Sequence, residues 1–293
     1  MSSAAAALSY PPFLGDEGLP ADPSSASAVI IPVPYDLTST WRKGADRGPS
    51  ALLEASGTVE LYDIETASEP WRRGIVTLPP ILHDGGPEEL AGLVREASGS
   101  VLERGAIPVL IGGEHSVTIG AIEAASEAFP GVGVLHIDAH GDTRESYEGS
   151  THNHACVMAR ARERCPIVQV GIRAVDASEV PALDPARVFW AHEIASRRGP
   201  EWMDEVVDLL PEHVYLTIDL DAFDPSLLPA TGTPEPGGLG WYDVTGLVRR
   251  VARSRRIVAF DVVELLPLPG HHASEFIAAK LVHRVLAEVF ARR

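Results

Sequence analysis

Along nearly its whole length the chain alternates short apolar runs with segments of helical spacing, and this alternation limits the fold more than any other feature. Runs at 28–34, 106–116, 132–138, 166–172, 187–191, 213–221 and 255–265 read as strands. Between them, 48–56, 87–105, 117–129, 200–210, 244–254 and 274–293 carry helical patterns. Pro49 suits a helix N-terminus, and Gly105 closes the second helix. Strands alternating with helices imply βαβ units, hence an α/β fold with a mainly parallel sheet covered on both faces. No internal repeat or linker breaks the pattern. Residues 29–293 therefore read as one domain, preceded by a flexible arm over 1–28.

Composition narrows the partners. With 45% hydrophobic and 22% charged residues among 293, the chain has the make-up of a soluble globular protein. Its net charge of −17 disfavours nucleic acid and anionic membranes, but not a cationic substrate or a metal ion. Two cysteines, Cys156 and Cys165, form no disulfide framework, which fits a cytoplasmic location. No stretch reaches the ~20 apolar residues of a membrane span. The N-terminal segment lacks the basic start and apolar core of a signal peptide.

The ionisable residues fall at strand ends: His115; Asp138, His140 and Asp142; Asp219 and Asp221; Asp261 and Glu264. In open α/β sheets that is where ligands bind. Residues two apart on an extended segment share a face, so "DAHGD" and "DLD" can each converge. Carboxylates so close repel by ~1 kcal/mol per pair in water, and by more once buried. Four carboxylates and two imidazoles without a thiolate suit Mn²⁺ best. Mg²⁺ and Fe²⁺ suit them less well, and Zn²⁺ and Ni²⁺ are compatible. Six ligands exceed the needs of one catalytic ion and fit two ions ~3.5–4 Å apart. Each residue alone reads equally as a cap or a packed polar group; both motifs together do not.

"IGGEHS" (111–116), "IDAHGDTR" (137–144), "TIDLDAFDPSLLPATGTPEPGGL" (217–239) and "FDVVELLP" (260–267) resemble the signatures of the ureohydrolase family, which includes arginases, agmatinases and formiminoglutamases. The resemblance runs from about Ile30 to the C-terminal helix. It implies a three-layer α/β/α sandwich with about eight strands. It also implies two Mn²⁺ per subunit. His115, Asp138, Asp142 and Asp219 would hold one; His140, Asp138, Asp219 and Asp221 would hold the other. Asp142 would pass a proton, Glu264 would bind the guanidinium, and His154 would shuttle protons. The products would be urea and an amine, and the chain would form a homo-oligomer, a trimer or hexamer.

Within that family the chain resembles agmatinases most, in "PYDLTSTWRKGADRGPSALLEAS" (34–56), "NHAC" (153–156) and the segment from Glu264. His152 and Arg144 stand where arginases place Asn, so the substrate expected is agmatine, a small cationic guanidino compound without a carboxylate. Arg144 could still meet a carboxylate, which leaves arginine, guanidinobutyrate and guanidine as alternatives. Cys156 reads as a packed residue, and Glu235 as part of a rigid loop. An inactive, metal-binding regulatory relative would lack a ligand or the guanidinium carboxylate, and neither is missing.

Overall fold

The computed structural model describes residues 10–16 and 23–291. Its strands are β1 (Ala28–Val33), β2 (Ile75–Thr77), β3 (Ile107–Gly112), β4 (Gly133–Ile137), β5 (Ile167–Ile172), β6 (Val188–Trp190), β7 (His213–Asp219) and β8 (Arg256–Val263). They form one sheet in the order β2-β1-β3-β8-β7-β4-β5-β6, with every neighbouring pair parallel. The helices are α1 (Gly48–Ser56), α2 (Pro87–Glu103), α3 (Thr118–Ala128), α4 (Val157–Ala161), α5 (Ala191–Ser196), α6 (Trp202–Leu209), α7 (Trp241–Ser254) and α8 (Ala273–Ala291).

Two apolar cores flank the sheet. One joins α1, α5, α6, α7 and α8 to it through residues such as Leu53, Ile194, Met203, Leu247 and Leu286. The other joins α2, α3 and α4 through Leu90, Ile122 and Met158. Central strands are buried along their length, so their side chains fill both cores. This is the three-layer sandwich expected from the sequence. Three elements escaped that reading: β2, with three residues, and the short helices α4 and α5. None is long enough to show a period. α7 starts at Trp241, ahead of the expected 244, because the Asp243 carboxylate accepts the Gly240 N–H at 2.9 Å and caps it.

The expected arm over 1–28 lies partly outside the described residues. Its described part is held at both ends: Ser27 and Ala28 join the sheet, the Ser27 N–H donating to Gly74 O at 2.9 Å, and Phe13 and Leu14 are buried in the first core. The Phe13 N–H donates to Thr77 Oγ1 (2.9 Å) and the Leu14 N–H to Ser56 Oγ (3.0 Å). Among the described residues no helix is long and apolar enough to cross a membrane.

The strand order places the site. β3, β8, β7 and β4 are neighbours in the middle of the sheet, and their C-terminal ends carry His115, Glu264, Asp219 and Asp138. Chain segments far apart in sequence therefore meet over one crevice.

Candidate active site

β3 ends at Gly112, and Gly113 follows, where only glycine fits. A Cβ on Gly113 would lie 2.0 Å from the Tyr35 carbonyl oxygen. This close approach lets the segment after β1 cross the end of β3, with the Glu114 N–H donating to Tyr35 O at 2.9 Å. His115 follows and is buried.

The hydrogen bonds around His115 fix its tautomer. Asp261 Oδ1 accepts the Thr217 hydroxyl at 2.6 Å, and Oδ2 accepts the Tyr215 hydroxyl at 2.6 Å. A hydroxyl has one proton to give. Thr217 Oγ1 therefore accepts from His115 Nε2, 2.9 Å away. Nδ1 is left with no hydrogen-bond partner, facing Asp142 Oδ2 at 3.0 Å, Asp138 Oδ2 at 3.2 Å and Asp219 Oδ2 at 3.4 Å. A ring nitrogen aimed at three carboxylate oxygens calls for a positive charge between them, a proton or a metal cation. Against the opposing effect of burial, those carboxylates hold the imidazole well above its ordinary range. A positive charge bound there is stabilised.

Asp138 is the hub. Its Oδ1 accepts the His140 N–H at 2.6 Å, and its Oδ2 accepts from His136 Nε2 at 2.7 Å. The Gln169 side-chain amide donates to both His136 Nδ1 (3.0 Å) and the Gly141 carbonyl (2.9 Å), which fixes the His136 ring. Burial alone would raise the Asp138 carboxyl; His136, His115 and His140 hold it well below the usual range. His140 Nδ1 lies 3.0 Å from Asp221 Oδ2. Burial, then the charges of Asp221 and Asp138, push Asp219 well above that range. Negative charge thus exceeds what the histidines offset.

Two groups of potential ligand atoms result: His115, His136, Asp138 and Asp142, and then Asp138, His140 and Asp221. Asp138 belongs to both, so the cluster suits a two-metal centre. Asp219 lies outside both groups yet faces His115. His136 was not picked out from the sequence; with Nε2 engaged by Asp138, it positions that carboxylate.

Two residues of the site have left-handed backbones, Asp142 (φ 52°) and Glu264 (φ 65°). This costs about 1–3 kcal/mol per residue and persists only where the surroundings enforce it. The Asp142 carbonyl accepts the Met158 and Ala159 N–H groups at the start of α4 (2.9 and 3.2 Å). The Glu264 N–H donates to Gly113 O at 2.7 Å, and its Oε1 accepts the His115 N–H at 2.7 Å. Burial first, and the Glu114 carboxylate second, raise the Glu264 carboxyl well above its ordinary range. A bound cation would relieve both effects.

A cavity of about 350 Å³ opens above this cluster and is lined by His115, Asp142, Asp219, His140 and Asp221, with Glu264 and His154. Comparison with known proteins decides the family. A model described as the arginase family matches residues 26–287. The chain belongs to the arginase family. It is 40% identical to the N(1)-aminopropylagmatine ureohydrolase of Synechocystis sp., over 90% of this chain and 89% of that protein. It is also 40% identical to the Thermus thermophilus protein of the same name, over 89% of each. Among solved structures, the agmatine ureohydrolase of Thermoplasma volcanium superposes with a TM-score of 0.85 at 31% identity, covering 94% of this chain and 93% of that one. The chain is a ureohydrolase-type hydrolase of carbon–nitrogen bonds with a His/Asp cluster suited to two metal ions.

The outer residues of this arginase-family site divide. His154 lines the cavity, and its ring stands edge-on to Tyr147. His152 does not line it. Its N–H donates to Ser150 Oγ at 2.9 Å, and its ring lies 3.8 Å from Glu88 of α2. A turn capped by Asn153, whose side chain accepts the Ala155 N–H, separates the two histidines. Arg144 lines the cavity, but its guanidinium lies 4.3 Å from the centre of the Tyr147 ring and 3.5 Å from Glu179. Cys156 is buried, and burial pushes its thiol up to about 11, which leaves no nucleophile. Glu235 reaches the rim, its backbone carbonyl held by Arg173 (2.8 Å).

Proposed function

We propose that the chain hydrolyses the guanidino group of a cationic alkylguanidine to urea and an amine, using two Mn²⁺ ions. The observation that carries this reading is the cavity itself. One space of about 350 Å³ is lined by His115, His140, Asp142, Asp219 and Asp221 of the cation-demanding cluster and by Glu264. His115, Asp138, Asp142 and Asp219 would hold one ion; His140, Asp138, Asp219 and Asp221 would hold the other. When bound, the ions supply the missing positive charge and lower the pKa of water toward neutrality.

The chain's own groups do the rest. Glu264 has one oxygen fixed by the His115 N–H and a second to accept guanidinium N–H groups, which orients the guanidinium carbon over the cluster. Asp142 accepts a proton from the attacking water. His154, on the wall, delivers a proton to the departing amine.

The substrate carries an amine tail, not an α-carboxylate. Arg144 is already engaged by Glu179 and Tyr147, and the exposed rim adds Asp176 and Glu235. N(1)-aminopropylagmatine is the first choice, supported by the two relatives of that name at 40% identity. Agmatine is the second, supported by the Thermoplasma volcanium structure. A homo-oligomer, trimer or hexamer, in the cytoplasm completes the reading. Urea release from a panel of guanidines, with Mn²⁺ content measured, tests it. Both amines should exceed L-arginine by at least ~100-fold in kcat/KM, about 2.7 kcal/mol of transition-state discrimination. A preference for L-arginine or guanidinobutyrate would overturn the substrate class and keep the ureohydrolase chemistry. No urea from any guanidine would overturn both.

A further inference from the structure

Glu114, next to His115, is fully buried, and its carboxylate is surrounded by donors. It accepts the Thr38 N–H at 2.6 Å, the Ser39 N–H at 2.9 Å, the Ser116 hydroxyl at 2.6 Å, the Ser39 hydroxyl at 3.4 Å and the Thr38 hydroxyl at 2.7 Å. Thr38 is 76 residues away in sequence. On its other side, Thr38 Oγ1 lies 3.0 Å from the His154 backbone nitrogen and 3.1 Å from His154 Nδ1.

Counting protons settles the direction of each bond. A threonine hydroxyl donates one hydrogen bond and accepts two. The Thr38 proton goes to Glu114. Turned the other way, it would leave two oxygens with opposed lone pairs 2.7 Å apart, one of them on a fully buried carboxylate. Both lone pairs of Thr38 Oγ1 are then taken by His154, one by its backbone N–H and one by Nδ1. Nδ1 must therefore carry hydrogen. In the neutral ring, Nε2 is the bare nitrogen. Tyr147, edge-on at 6.2 Å, restrains the ring from flipping.

We infer that Glu114, acting through the Thr38 hydroxyl, sets the tautomer of His154 so that Nε2 takes up and releases protons on the cavity side. Glu114 and Thr38 are positioning residues: neither lines the cavity, and they act only through His154. The inference rests on the proposed role of His154 as proton carrier. It explains why a fully buried carboxylate is spent on a loop of the opposite wall. Thr38 and Ser39 are anchored to the floor of the site, so the histidine and the guanidinium carboxylate share one frame.

The test reads the tautomer directly. Protein labelled with ¹⁵N-histidine and loaded with diamagnetic Zn²⁺ gives two-bond ¹H–¹⁵N patterns that distinguish the Nδ1–H from the Nε2–H form. The unmodified protein and Thr38→Ser should show Nδ1–H at His154. In Glu114→Gln the new amide donates to Thr38 Oγ1 and turns the hydroxyl toward His154, so Nε2–H should replace Nδ1–H. Thr38→Val removes the acceptor at a half-buried position and should give a mixture. It serves also if Glu114→Gln fails to fold. With Mn²⁺, kcat should fall about 10–100-fold in Thr38→Val and Glu114→Gln, less than the roughly 10²–10⁴-fold that a general acid–base group contributes in full, because His154 itself stays in place. KM should stay within about twofold, and Thr38→Ser should keep both values. Nε2–H in the unmodified protein would overturn the inference. So would Nδ1–H retained unmixed in both Thr38→Val and Glu114→Gln. A tautomer that switches while kcat stays constant would uphold it and overturn the proton-carrier role of His154.

Discussion

Asp261 Oδ1 lies 2.6 Å from the Thr217 hydroxyl oxygen, and that contact decides which nitrogen of His115 is left free. Asp261→Asn can place an amide N–H against Thr217 Oγ1. The hydroxyl then turns toward His115 Nε2, and hydrogen moves to Nδ1, where it blocks the nitrogen facing the three carboxylates. Metal affinity should fall about 10–100-fold, the usual effect of removing such an outer partner. Thr217→Ser should keep the native affinity. Mn²⁺ titration against a competing chelator measures both. Equal affinity in Asp261→Asn and the unmodified protein would show that His115 is not held in this way.

Asp138 is shared between both ligand groups, so its loss should cost more than one ion's worth of binding. Asp138→Ala should retain about one metal ion per chain or fewer and lose nearly all activity, since two ions need a shared anion to sit so close. Elemental analysis after dialysis counts the metal. Two retained ions would exclude a bridging role.

Glu264 accepts the His115 N–H with one oxygen. In Glu264→Gln the amide oxygen keeps that contact, and the NH₂ group then faces the guanidinium, donor against donor. Metal content should stay at the native level while kcat/KM falls at least about 100-fold. Loss of metal in this variant would make Glu264 part of the metal support and leave guanidinium binding to another group.

Much of this was legible in the sequence, for a physical reason. Strand periodicity of two puts Asp138, His140 and Asp142 on one face, and strands that alternate with helices put every strand end on one side of the sheet. The supporting layer was not legible. Glu114 pairs with Thr38 across 76 residues, His136 with Gln169 across 33, and Thr217 with Asp261 across 44. Threonine and glutamine carry no signature by themselves; only the fold gives them partners. His152 sits two residues from His154, but spacing does not show the Asn153 turn between them or the placing of its ring 3.8 Å from Glu88 of α2. β2 was invisible because three residues set no period.

His283 ties stability to pH in a predictable direction. It is fully buried on α8, with Nε2 3.2 Å from the Leu61 carbonyl and Nδ1 3.3 Å from Lys280 Nζ. Nε2 therefore carries the hydrogen, and Nδ1 accepts from the ammonium. Asp63 and Arg284 also face it; Asp63 favours a charged ring, and Lys280 and Arg284 oppose one. Burial first, and Lys280 second, push the imidazole from its ordinary 6.5 down to about 4. The folded state thus refuses a proton that the unfolded chain accepts below pH 6.5. The His283 contribution is complete above that pH, shrinks as the pH falls toward 4, and is lost below it. The full effect is about 3 kcal/mol. His283→Gln keeps one donor for Leu61 and one acceptor for Lys280 but cannot titrate. Urea unfolding of both proteins at several pH values isolates the effect, because ionisable groups away from position 283 cancel in the difference. The stability advantage of the unmodified protein over His283→Gln should decline by about 3 kcal/mol between pH 7.5 and pH 4. A difference that does not change with pH would mean that the folded protein accommodates a charged ring at position 283.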